Sequence, residues 1–172
     1  MKKYLLLILI SLSFWGCKSL TESDGKSKYL RWVGDIEYDE QLDNANFKVC
    51  NGEDDIIQYF NVGDGPVYSG EKSAILQTFQ TNYKPVSDSN ESGLIRIRFV
   101  VNCEGKAGRF RILQSGYDYQ EREFDKKITT QLLEITKGIK NWKVLYEDDT
   151  PVDYYMYLIF KIKDGQIIEI LP

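Results

Sequence analysis

The stretch "GLIRIRFVVNCEGKAGRFRIL", residues 93–113, restricts this chain more than any other part of it. Ile95, Ile97, Phe99 and Val101 alternate with Leu94, Arg96, Arg98 and Val100, the period of two that belongs to a strand. "NCEG" supplies the turn. With Asn102 facing Gly105, Ile95 stands opposite Ile112, Ile97 opposite Phe110 and Phe99 opposite Gly108, so one face is apolar throughout. The other face sets Arg96 opposite Arg111 and Arg98 opposite Arg109. Like charges placed this way repel, so something acidic or aromatic must stand near them.

The elements around this hairpin follow from their own periods. "SGEKSAILQTFQTNY" carries Ile75, Leu76, Phe79 and Tyr83 on one helical stripe, with Ser69 as the expected N-cap. "EREFDKKITTQLLEITKG" repeats Phe124, Ile128, Leu132, Ile135 and Ile139 at helical steps and stops at Gly138. "DYYMYLIFKIKDGQIIEIL" reads as a last hairpin, with a three-residue loop from Lys163 to Gly165. That loop pairs Phe160 with Ile168 and Leu158 with Ile170. Met156, Leu158, Phe160 and Ile162 then face the helices, while Tyr155, Tyr157 and Ile159 share the arginine side. Short strand candidates precede all this in "YLRWVGDIEY", "FKVC" (47–50) and "IIQYF" (56–60). The expected class is α+β: two helices packed on one face of a small antiparallel sheet, with extra N-terminal strands.

The chain starts with Lys2 and Lys3, then a 12-residue apolar run from Tyr4 to Trp15. A bilayer core of ~30 Å needs about 20 helical residues, so the run has the dimensions of a signal peptide. "FWGC" resembles a relaxed bacterial lipobox, which implies cleavage after Gly16 and acylation of Cys17. A plain signal peptide containing a cysteine is the other reading. The expected division is therefore 1–16 signal peptide, 17–28 lipidated tether, 29–65 N-terminal strand extension and 66–172 main domain. The membrane is engaged through the N-terminal lipid, with the outer membrane as the default location and the periplasmic or surface face left open.

Composition removes several function classes. The full chain has 22 basic and 26 acidic residues, and losing Lys2 and Lys3 takes its net charge from −4 to −6. That leaves no basic footprint for nucleic acid. It has no histidine, which excludes Ser-His-Asp and Cys-His catalysis and imidazole metal sites. The acidic run "GEDD" (52–55) lacks the spacing of a calcium loop, and no carboxylate pair is marked by local sequence. No enzyme, cofactor or metal is expected. In an oxidising envelope compartment Cys50 and Cys103 are expected to bond each other. The arginine face has two readings. Arg96, Arg98, Arg109 and Arg111, with Tyr155 and Tyr157 beside them, form a patch for an acidic partner; or Asp35, Glu37, Asp39 and Glu40 fold over and neutralise them.

Read together, "PVYSGEKSAILQTF", "GLIRIRFVVNCEGKAGRFRIL", "FDKKITTQLLEI", "IKNWKV" and "VDYYMYLIF" resemble the C-terminal domain of the TonB energy-transducer family. The matching positions are Gly70, Gly93, Ile95, Ile97, Phe99, Val101, Gly105 and Trp142, over roughly residues 66–162. The resemblance implies that family's fold and binding of another envelope protein at an exposed strand edge. It departs from the family in having no proline beside Trp142 and no long Pro-rich span. An extended ten-residue tether reaches about 31 Å, at ~3.1 Å per residue, so the chain is not expected to transduce energy. Residues 166–171 are expected to occupy the edge that the family uses for its partner. A structural subunit of a larger outer-membrane-associated complex and a ligand-binding or enzymatic domain are the alternatives.

Overall fold

The alternation of residues 93–113 does build a hairpin, and the hairpin forms half of the sheet. A computed structural model of the chain describes residues 35–59, 67–86 and 89–171. The signal-peptide and tether assignments, Cys17 and most of "YLRWVGDIEY" lie outside these residues. The order is β1 (Ile57–Gln58), α1 (Glu71–Asn82), β2 (Gly93–Val101), β3 (Ala107–Ser115) and α2 (Lys126–Gly138). Then come β4 (Leu145–Glu147), β5 (Thr150–Val152), β6 (Tyr154–Lys163) and β7 (Gln166–Leu171). The protein is α+β. Its main sheet runs β1-β6-β2-β3, with β7 also on β6, and β4-β5 form a small second sheet.

The sheet is mixed rather than antiparallel, because β1 pairs with β6 in parallel, Ile57 beside Tyr154. Of the expected N-terminal strands, β1 alone forms among the described residues, and only over two positions. Residues 47–50 are not a strand. Phe47 and Val49 instead lay their side chains on the outer face of the sheet, against Ile36, Ile56, Val100 and Tyr155. Apolar alternation there covers a sheet instead of extending one.

The central hairpin has a different register from the expected one. Asn102 N–H donates to Lys106 O at 2.9 Å, and Asn102 Oδ1 accepts from the Glu104 and Lys106 amides, so the loop holds three residues. Gly105 closes it at φ +72°, where a Cβ would meet Trp142 O at 2.4 Å. Arg109, at φ +56°, is the extra residue of a bulge. Beyond it Ile97 pairs with Ile112, Arg98 with Arg111 and Arg96 with Leu113, while Gly108 lies opposite Val100. The apolar face survives because loop and bulge together shift the register by an even number of residues. Phe99 stacks on Phe110 at 5.2 Å, and Gly108 leaves room for the Phe47 ring on the opposite face.

The last hairpin is corrected in the same way. Its turn has two residues, Asp164 and Gly165, at φ +50° and +71°, the left-handed pair that a tight hairpin needs. A bulge then restores the facing, pairing Phe160 with Ile170 and leaving Ile168 exposed. Ile170 is therefore the core residue of β7, and Ile168 is not.

α1 starts at Gly70, in the left-handed conformation with no side-chain cap, so Ser69 is not its N-cap. α2 is capped by Asp125, whose carboxylate accepts from the Lys127 amide at 2.7 Å. Ile75 and Phe79 of α1 and Ile128 and Leu132 of α2 close one core over Ile95, Ile97, Phe99, Leu158 and Phe160. Trp142 is buried there between Tyr68 and Phe99.

Candidate protein-interaction site

β2, β3 and β6 place Arg96, Arg98, Arg109, Arg111, Tyr155 and Tyr157 on the sheet face away from the helices. Arg96, Arg98 and Arg109 are only 7%, 7% and 4% exposed. Their guanidinium groups are therefore not a free patch. Arg96 lies over the Tyr157 ring at 4.1 Å, and burial together with the nearby Arg98 charge lowers its pKa to about 10.

Residues 35–58 form a strap across this face. The strap pairs two of the four, Arg109 and Arg111, with carboxylates other than the expected ones. Glu53 takes both terminal nitrogens of Arg109 at 2.5 and 2.6 Å, and Asp43 takes both of Arg111 at 2.7 Å. The carbonyls of Ile36 and Glu37 accept further bonds from Arg109 and Arg111. Sequence spacing gave no sign of these partners, because a strap can reach a guanidinium from many positions.

The strap is pinned at its far end. Cys50 and Cys103 are bonded, with Cα atoms 6.0 Å apart. Beside them the wholly buried Asp153 accepts from the amides of Cys50 (2.8 Å), Asn51 (3.0 Å) and Cys103 (2.9 Å). Asp153, like Asp43 and Glu53, is a residue that sequence reasoning missed. Its only signal is an acid set directly before the apolar run of β6. The two sulfurs and Asp153 lie close enough together for metal ligation, but the sulfurs are joined to each other.

The ion pairs set a pH dependence. Hydrogen bonding to Arg111 holds Asp43 below its ordinary 3.8, and Arg109 likewise holds Glu53 below 4.5. Carboxylates depressed in the folded state stabilise it above their ordinary values, and that contribution is lost as pH falls through the folded values. Acidification from about pH 5 to about pH 3 is expected to loosen residues 36–53 before the helices. Amide exchange at the two pH values checks this; unchanged protection of the strap would refute it.

The two sheet edges differ. The far edge of β6 is occupied by β1 at Tyr154–Tyr155 and by β7 over Ile159–Lys163, as the sequence led us to expect for residues 166–171. The outer edge of β3 has no strand beside it among the described residues, apart from the Ser115–Glu121 bridge at its end. No family model, curated protein or solved structure matches this chain. Among the described residues, no helix is long and apolar enough to cross a membrane.

Proposed function

We propose that this chain is a lipid-anchored envelope protein whose domain binds another protein and catalyses no reaction. The observation that carries the reading is the open β3 edge, on the side of the sheet opposite to a β6 edge that β1 and β7 pair at its two ends. An unpaired edge is a template for a further strand. The absence of histidine removes the commonest general base and metal ligand, in keeping with a binding role. A TonB C-terminal-like fold belongs to the same proposal. It is supported by two helices over one sheet face and by Trp142 packed on Phe99 near the hairpin tip. Energy transduction is not proposed, since the strand that family offers to its partner is here paired with β7. Crosslinking the native lipidated protein in its envelope and identifying what copurifies tests the reading. Recovery of the protein alone would refute it.

The anchor carries its own prediction. Mass spectrometry of the mature N-terminus is expected to find Cys17 acylated, and Cys17→Ala to release the protein from the membrane. An unmodified terminus at another residue would refute the assignment.

A further inference from the structure

The backbone of β3 shows which groups its edge offers. Gln114 O accepts from the Arg122 amide and Gly116 N–H donates to Gln120 O, so even-numbered residues turn their backbone away from β2 here. Phe110 agrees, its carbonyl accepting from the Arg111 side chain. Ile112, between them, has no hydrogen-bond partner on that side among the described residues. An unpaired N–H and C=O at one strand edge are the groups that an added strand bonds.

This edge is the floor of a groove. Two cavities of about 950 and 1080 Å³ meet along it, and both are lined by Leu42 of the strap, Phe110 of β3 and Leu133 of α2. Walls on both sides admit a single extended chain. They oppose a second copy of this protein, whose own β3 is recessed in the same way. The charges along the groove are also asymmetric. Lys106, Arg109, Lys137 and Lys140 outnumber Asp43 and Glu104 at its hairpin-turn end, where Lys106 pairs with Glu104 and Lys137 with Glu134, while Asp35, Glu37, Asp39 and Glu40 outnumber Arg98 and Arg111 at the other.

We propose that this groove takes one extended segment of a partner protein as an added strand, acidic at the end beside Lys106, Lys137 and Lys140 and basic at the end beside Glu37, Asp39 and Glu40. The inference rests on the protein-binding reading and specifies its site. Side chains on the α2 side of the segment are apolar, to cover Phe110, Ile112 and Leu133. Antiparallel pairing is the more stable choice, and it places the basic end of the segment first in sequence.

The probe is the end-blocked peptide Lys-Lys-Val-Thr-Val-Thr-Val-Asp-Glu, titrated into the mature chain with its disulfide intact. Saturable amide shifts are expected along Ala107–Leu113 and at Leu42 and Leu133. N-methylating the peptide amides that face β3 is expected to weaken binding at least about tenfold, through loss of the bond to Ile112 O and the clash of the added methyl groups with the β3 backbone. Methylating the alternate amides is expected to leave it unchanged. Exchanging the acidic end for lysines is expected to weaken binding about fivefold, and a Lys137→Glu/Lys140→Glu variant to reverse that preference. Any of three results would overturn the proposal: no saturable shift on β3, shifts on β6 instead, or a β3-mediated dimer in the absence of peptide. A copurified partner crosslinked away from β3 would overturn this site and leave the protein-binding reading standing. A failed copurification would remove that reading whatever the peptide does.

Discussion

Replacing both Cys50 and Cys103 by alanine is expected to destabilise the protein by about 4 kcal/mol. The bond closes a segment of 53 residues, and losing it returns that loop's entropy to the unfolded chain. The folded state also loses the tie between the strap and the hairpin tip. The double variant should therefore show two effects: a lower denaturant midpoint for the whole domain, and faster amide exchange confined to residues 35–58. The helices keep their contacts, since residues 35–58 reach the core over Ile97, Phe99 and Leu132 only through Ile57, whereas β2 loses outer-face packing at Val100. A midpoint within the equivalent of about 1 kcal/mol of the parent would show that strap packing alone sets the geometry.

Asp153→Ala is expected to cost about 3 kcal/mol or more, a large effect for a residue outside the apolar core. Its carboxylate gathers three amides from two segments, Cys50 and Asn51 on the strap and Cys103 on the hairpin turn. Hydrogen bonds to a charged acceptor are stronger than neutral ones, and removing that acceptor leaves its donors unsatisfied. Asp153→Asn should be milder, because one amide oxygen still accepts while the NH₂ group faces donors. The disulfide and Asp153 tie the same two segments together, so their losses should not add. Once either is removed, the second removal acts on a junction already loosened. Denaturant unfolding of the single and combined variants measures this. Strict additivity would mean that the two ties act independently.

The helical stripes and the strand alternation were legible because each depends on residues a few positions apart. Ile75 with Phe79, Ile128 with Leu132, and Ile95, Ile97 and Phe99 in a row face the core wherever the elements are placed. Registers were less legible. Both hairpins carry a bulge, at Arg109 and near Ile168, and alternation alone does not distinguish one register from another shifted by two residues. The Cys50–Cys103 pairing was expected from arithmetic, since these were the only two cysteines left for the domain. The carboxylates that meet the arginines were not. Asp43 and Glu53, rather than Asp35, Glu37, Asp39 and Glu40, take Arg111 and Arg109.

By itself the sequence determined the α+β class, the helices, the inward faces of β2, β3 and β6 and the clustering of four arginines. It could do so because the 3.6 and 2.0 periods are local and the hydrophobic effect acts on faces. The tertiary structure alone decided how the face and edges of the sheet are used. Whether an arginine is covered, whether β6 or β3 keeps an open edge, and which acid sits beneath Cys50 depend on contacts such as that of Asp153 with Cys50, 103 residues apart in the chain. Such a contact leaves no local pattern, because its geometry is set by where the strap and the sheet meet.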